Sequence, residues 1–271
     1  MELDERAAVV TGGASGIGRA MAIRFAEEGA RSVVVADLDQ ARAQAVADEI
    51  GDVALAVGCD VSDHVQVTEL IDTAREHAGG IDVFCANAGI ATGLGEDAPD
   101  EAWDAIMGVN VMAHVYAARQ LVPYWLEHGE GYFVSTASAA GLLTQIGDAA
   151  YSVTKAGAVA FAEWLAITYA DRGIRVSCLC PMGVRTPLLE GGLEQEGPES
   201  LGARIVAAAG DLLEPEDVAA QVVEAMREER FLILTHPEVA KFMARKGDDH
   251  GRWLAGMRRL QAMVTSGGAP A

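Results

Sequence analysis

Residues 7 to 28 constrain the fold more than any other part of the chain: Ala7-Ala-Val-Val-Thr11, then Gly12-Gly-Ala-Ser15-Gly16-Ile17-Gly18, then Arg19-Ala-Met-Ala-Ile-Arg-Phe-Ala-Glu-Glu28. The first five residues are uncharged and read as a buried strand. The glycine run reads as a tight turn, and the apolar positions after it recur at helical spacing and stop at Gly29. Strand, glycine turn and helix in this order let backbone amides and a helix N-terminus approach an anion such as a pyrophosphate, because glycine removes the Cβ that would hold it away. A second apolar run, Ser32-Val-Val-Val-Ala-Asp37, ends in a carboxylate nineteen residues after Gly18.

That acid narrows the ligand. A carboxylate at the tip of the second strand accepts hydrogen bonds from both adenosine ribose hydroxyls and repels a 2′-phosphate, so Asp37 points to NAD. Neither Ser15, before Gly16, nor Leu38, after Asp37, offers the cation that NADP would need. Asp39 sits where it can cap a helix beginning near Gln40, which leaves Asp37 free of that duty.

The alternation continues along the chain. Residues 53–59 read as a third strand closed by Asp60 and Val61, and 63–78 as a helix. Residues 81–86 read as a fourth strand, with Asn87-Ala88-Gly89 at its end. A long or broken helical region covers 100–128 and carries Asn110. A strand follows at 131–135, a helix from Tyr151 to Asp171, a strand at 174–180 closed by Pro181, and a seventh strand at 231–234. Strands and helices alternating in this way predict an α/β, single-domain Rossmann fold: a doubly wound, seven-stranded parallel sheet with helices on both faces and ligands at the strands' C-terminal ends. No linker-like stretch divides the sequence, so one domain is expected over residues 1–271.

Charge excludes some functions. Forty acidic against twenty basic residues give a net charge of −20, which repels nucleic acid and anionic membranes. Every long apolar tract is broken by charge well short of the ~18 residues of a membrane span. The acidic start Met1-Glu-Leu-Asp-Glu-Arg6 is unlike a signal peptide, and a cytoplasmic protein is expected. Cys59, Cys85, Cys178 and Cys180 lie in or beside apolar runs without metal-site spacing and read as buried, reduced thiols.

The chemistry concentrates in Tyr151-Ser-Val-Thr-Lys155 and in Ser138, thirteen residues upstream. Residues four apart share a helical face, which sets a phenol beside a cation that favours its ionised form. As residues alone, the pair fits an interfacial contact as well as a proton-transfer device. Gln145 and His114 are weaker site candidates, and His114 reads as a helix-face histidine.

Taken together, Thr11-Gly-Gly-Ala-Ser-Gly-Ile-Gly18, Asp60-Val61, Asn87-Ala-Gly89, Asn110, Ser138 and Tyr151-Ser-Val-Thr-Lys155 resemble the short-chain dehydrogenase/reductase family over roughly residues 5 to 235. The resemblance implies an NAD-dependent interconversion of a secondary alcohol and a ketone. It gives Tyr151 the role of general acid/base, and has Lys155 lower its pKa and bind the nicotinamide ribose. Ser138 would hold the substrate oxygen, and Asn110 would order a water relay. Cofactor contacts carried over are Gly12, Ser15, Gly16, Ile17, Gly18, Asp37, Asp60, Val61, Asn87, Ala88, Gly89, Tyr151, Lys155, Pro181, Val184 and Thr186. Asn87 is read as tying strand ends together.

The family's usual Pro-Gly is here Pro181-Met182-Gly183, where Met182 either narrows the pocket or repacks the turn. By the same resemblance, residues 187–213 are a substrate lid, with Leu188, Leu189 and Leu193 available to close over an apolar ligand. Residues 236–264 form a helical extension, packed on the body or on a neighbouring subunit, from which Trp253 or Met257 could reach the pocket. The helix after Tyr151 is apolar on more than one side, and the resemblance implies a homotetramer built on it. The expected substrate is a small alcohol or ketone with an apolar, aromatic or alicyclic substituent. A catalytically silent dinucleotide-binding protein, or an enzyme for a steroid, sugar or acyl thioester, are the alternatives.

Overall fold

The computed structural model describes residues 1–266; the loose end expected over 265–271 lies, beyond Ser266, outside the described residues. Seven strands form one sheet: β1 Ala7–Thr11, β2 Ser32–Asp37, β3 Ala54–Gly58, β4 Val83–Ala86, β5 Gly131–Thr136, β6 Ile174–Leu179 and β7 Leu232–Ile233. Their order is β3-β2-β1-β4-β5-β6-β7 and every pairing is parallel. The order reverses between β1 and β4, so the connections leaving these two strands diverge and open a crevice at their C-terminal ends.

The period-two geometry of a strand divides the core between the two faces. Ala8, Val10, Val33, Val35, Val83 and Cys85 pack beneath α1 (Gly16–Glu27), α2 (Gln40–Ile50) and α10 (Pro215–Arg227). Val9, Val34, Ala36, Phe84 and Phe133 pack beneath α3 (His64–Ala78), α5 (Ala113–His128) and α7 (Ala149–Tyr169). Both faces are buried, which is why the strands read as continuous apolar runs. All four cysteines are buried and free. No helix among the described residues is long and apolar enough to cross a membrane.

Several boundaries differ from the sequence expectation. The first helix starts at Gly16 rather than Arg19, because the turn's last glycines already form its first turn. The region 100–128 is broken: α4 (Asp100–Met107) passes through a π-helical stretch, Gly108–Met112, into α5. α6 (Ala139–Leu143) and α10 are additional elements. Pro215 in the first turn of α10, Glu216 and Asp217 beside it and Arg227 in its last turn are the start and stop signals that mark it. α8 (Pro187–Glu194) and α9 (Leu201–Ala208) occupy the expected lid segment. α11 (Pro237–Asp248) and α12 (His250–Thr265) form the C-terminal extension, α11 packing on α6 and α12 on α9.

Trp125, fully buried on α5, ties this layer to the sheet by donating from Nε1 to the Ile81 carbonyl at 2.7 Å. Its indole occupies the space that a Cβ on Gly131 would need. Trp125→Phe keeps an aromatic ring but leaves that carbonyl unpaired, so urea denaturation should register a loss of about 1–3 kcal/mol.

Candidate active site

A cleft of about 640 Å³ runs along the C-terminal ends of the central strands. Its lining includes Gly12, Ser15, Gly16, Ile17, Gly18, Asp37, Asp60, Val61, Asn87, Ala88, Gly89, Ser138, Tyr151, Lys155, Pro181, Val184 and Thr186. The sequence-derived site is therefore one continuous surface, with Asn110 alone lying behind the wall, fully buried.

The phosphate end is built from backbone. Gly12 adopts φ +64°, and a Cβ there would fall 2.9 Å from the Ala88 Cα. A Cβ on Gly18 would collide with the Gly12 carbonyl at 2.1 Å, so helix and strand meet only because both positions are glycine. Ser15 precedes α1 without capping it through its side chain, which leaves the first-turn amides directed at the cleft. At the tip of β2, Asp37 accepts from the Ala14 amide at 3.0 Å and the Asp39 amide at 3.1 Å, while Asp39 caps α2 through the Ala41 and Arg42 amides. Asp60 has one oxygen committed to the amide and hydroxyl of Ser62. Lys155 is the sole cation among the described residues lining the cleft.

Asn87 joins three strand tips. Its Nδ2 donates to the Thr11 carbonyl at 3.0 Å, its Oδ1 accepts from Thr136 Oγ1 at 3.1 Å, and its amide donates to Thr11 Oγ1 at 3.0 Å. That is the tying role expected of it.

At the other end, Ser138 precedes α6 and caps it, accepting from the Ala140 amide at 3.1 Å while its own hydroxyl reaches the Pro181 carbonyl at 3.5 Å. Tyr151, on the first turn of α7, keeps an edge on the cleft but is otherwise surrounded by protein. That crowding pushes its phenol up to about 12, with Ser138 opposing the rise. Lys155, one turn on, is buried, and desolvation brings its ammonium down to about 8. Its Nζ donates to the Thr136 carbonyl at 3.0 Å and lies 5.6 Å from the centre of the Tyr151 ring. The expected fall in the Tyr151 pKa is thus not produced by these two side chains alone. Burial outweighs an ammonium turned toward a carbonyl.

Asn110 lies in the π-helical stretch and converges with Lys155 on Gly89, where an added Cβ would meet Lys155 Nζ at 3.1 Å and Asn110 Oδ1 at 3.4 Å. Its amide exchanges two 2.9 Å hydrogen bonds with the Ile90 backbone and donates to Thr154 Oγ1 at 3.1 Å. His114 is a buried histidine outside the cleft, bonded through Nδ1 to Ser135 Oγ at 3.0 Å. Burial, with the charge of Lys155, holds it down at about 3.

Asp148 is the residue that sequence reasoning missed. Its buried carboxylate accepts from the Tyr151 amide at 2.9 Å, the Thr92 amide at 2.8 Å, the Thr92 hydroxyl at 2.9 Å and the Gly93 amide at 2.7 Å. It caps α7 and locks the loop after β4 against the helix that carries Tyr151. The available signal was an Asp one residue before a helix, three residues ahead of the tyrosine. Of the leucines expected to form a lid, Leu188 and Leu189 line the cleft and Leu193 does not.

The family described as short chain dehydrogenase matches residues 6–197, more than half of the chain. The chain is 38% identical over 257 residues to 1-deoxy-11-beta-hydroxypentalenate dehydrogenase of Streptomyces exfoliatus, covering 92% of this chain and 90% of that one. It is 35% identical over 221 residues to 3beta-hydroxysteroid dehydrogenase 2 of Eggerthella lenta, covering 79% and 84%.

The chain belongs to the short-chain dehydrogenase family.

Among solved structures, a short chain dehydrogenase/reductase from Burkholderia phymatum in complex with NAD superimposes with a TM-score of 0.83 at 31% identity, over 92% of this chain and 95% of that one. As a short-chain dehydrogenase the chain is an oxidoreductase, and the cleft described above is its candidate active site.

The depressed Lys155 sets a pH test. A lysine whose folded pKa is about 8 against an ordinary 10.5 destabilises the folded chain throughout the range below pH 8, and the penalty fades as pH rises from 8 to 10.5. The gap corresponds to on the order of 3 kcal/mol, from which about 1 is subtracted when the bond to Thr136 is lost. Lys155→Met should therefore raise unfolding stability at pH 7 by about 1–3 kcal/mol. The gain should shrink to nothing or reverse by about pH 10, as read by urea denaturation at the two pH values.

Proposed function

We propose that this short-chain dehydrogenase uses NAD to interconvert a secondary alcohol and its ketone, with Tyr151 as general acid/base. The observation that carries the reading is that Ser138, Tyr151 and Lys155 lie on the wall of the same cleft whose far end holds the glycine turn and Asp37. NAD, when bound, takes or gives the hydride.

The chain's own residues do the rest. The amides opening α1 receive the pyrophosphate, and Asp37 at the β2 tip receives the ribose hydroxyls. Asp60, Val61 and the segment Asn87 to Gly89 lie beside the adenosine end, while Pro181, Val184 and Thr186 lie where the nicotinamide amide would be held. The absence of any cation but Lys155 among the described lining residues favours NAD over NADP.

Ser138 steadies the substrate oxygen as charge develops on it. A phenol that burial keeps protonated is a ready proton donor toward a carbonyl, and in the oxidative direction its phenolate, formed by releasing that proton to solvent once a cation is oriented on it, takes the proton of the alcohol. Lys155, near 8, can exchange protons close to neutral pH, and Asn110 beside it fixes the neighbouring loop for a relay to solvent.

Leu188 and Leu189 act as the lid over an apolar substituent. The relatives' names, a hydroxypentalenate and a hydroxysteroid dehydrogenase, fit a bulky hydroxy compound. The protein is read as cytoplasmic and as a homotetramer. Val153, Ala156, Ala160, Trp164 and Ile167 make an exposed, mostly apolar stripe at helical spacing along α7, suited to pairing with the same helix of another copy.

Tyr151→Phe should lower turnover by about a thousandfold or more while leaving the NADH dissociation constant within about twofold. Normal turnover would overturn the assignment. Asp37→Ala should erase the preference for NADH over NADPH in kcat/KM, and a wild-type preference for NADPH would show that the carboxylate has been misread.

A further inference from the structure

A second, larger cavity of about 950 Å³ adjoins the cleft, open to solvent on one side and lined by α6 and the loop after it, α9 and the segment that follows, and the two C-terminal helices. Ala139, Ala140, Gln145, Met182 and Val206 wall both spaces, so the larger one is a side chamber of the first, met just beyond Ser138. Its lining is largely apolar, with Leu143, Ile146, Ile205, Phe242, Trp253 and Met257 prominent.

Three guanidinium side chains, Arg245, Arg252 and Arg259, line the same chamber. None of the three forms an ion pair among the described residues. Arg245 lies over the Phe242 ring, 5.9 Å from its centre. Arg252 and Arg259 are seven residues, two helical turns, apart and so share a face of α12. Asp248 and Asp249 are the carboxylates on this wall, at the junction of α11 and α12. Asp249 is engaged in capping α12 through the Arg252 amide at 2.9 Å.

The placement runs against the charge of the chain as a whole. With a net charge of −20 the protein repels an anion at long range, yet Lys241, Arg245, Lys246, Arg252, Arg258 and Arg259 crowd into the two C-terminal helices. The three guanidinium groups are exposed along a largely apolar pocket. A carboxylate attached to an apolar body fits that arrangement, because the guanidinium fork matches it in shape and charge.

We propose that the side chamber selects the substrate as a hydroxy or keto acid with an apolar alicyclic or aromatic body. Its carboxylate is held by Arg245, Arg252 and Arg259, the body lies on Phe242, Trp253 and Met182, and the reacting carbon projects toward Ser138 and Tyr151. The assignment rests on the reading of the cleft as the reaction site, and it is tested by binding rather than turnover so that the two can fail separately.

The probe is 1-anilinonaphthalene-8-sulfonate, followed by fluorescence on the full chain and displaced by adamantane-1-carboxylate or by adamantane-1-methanol, which share a body and differ in charge. The acid should displace the probe at a concentration at least about tenfold lower than the alcohol. Arg252→Gln combined with Arg259→Gln should remove that preference, and the corresponding Lys variants, which keep the charge without the fork, should retain part of it. Both substituted arginines are exposed, and circular dichroism checks the fold. Tyr151→Phe should leave the preference intact whatever it does to turnover. Failure of the probe to bind, equal displacement by acid and alcohol, or an unchanged preference in the Gln variant would overturn the proposal.

Discussion

Everything at the site depends on holding three parallel strand tips in register at the point where the sheet order reverses. Parallel strands have no hairpin to join them, so beyond their ladder hydrogen bonds the ends of β1, β4 and β5 are linked along the chain only through long crossovers. Asn87 supplies the missing connection by donating to the Thr11 carbonyl and accepting from the Thr136 hydroxyl. The same residues carry the site: Thr11 leads into the glycine turn, Asn87 into Gly89, and the Thr136 carbonyl receives Lys155. A side-chain amide is suited to this place because it offers a donor and an acceptor in a fixed plane, and the buried strand ends need one of each.

Burial of charge is handled in two ways a few residues apart. The Asp148 carboxylate accepts four hydrogen bonds, so its charge is distributed over the loop at Thr92 and Gly93 and over the start of α7. Lys155 has one carbonyl partner, and desolvation by burial lowers its pKa. The well-satisfied carboxylate is a structural clamp. The poorly satisfied ammonium is a group left responsive to whatever enters the cleft, and such groups concentrate at active sites.

Most of the fold and nearly all of the cleft were legible in the sequence, for a physical reason. A strand buried on both faces is a continuous apolar run, and a turn against phosphate is glycine, so local composition reports both. Gly12 and Asp37 could therefore be placed by order and spacing, whereas Ser138, Tyr151 and Lys155 were singled out by resemblance to a family pattern. Asp148 could be found by neither route, because its importance lies in Thr92 and Gly93, more than fifty residues away in sequence and joined to it only by folding. The raised Tyr151 pKa was also out of reach: spacing shows that a lysine is on the same face, but not that its Nζ turns to Thr136 or how densely the phenol is packed. The position of α10 was marked by Pro215 and its flanking charges, signals of a helix that carries no site residue.

Met182 connects the shared chemistry to what distinguishes this chain. It follows Pro181 at the end of β6, lines both cavities, and brings its terminal methyl toward Gly210 in the segment after α9. Together with Phe242 and Trp253 it packs on the small cluster of Ala139, Leu143 and Val239 that seats the C-terminal helices on α6. A thioether in this shared wall is flexible and apolar, so it can adapt to the contour of what packs against it. Because Ser138 is the residue that opens α6, the cluster that seats the C-terminal helices and the Ser138 hydroxyl share one short element.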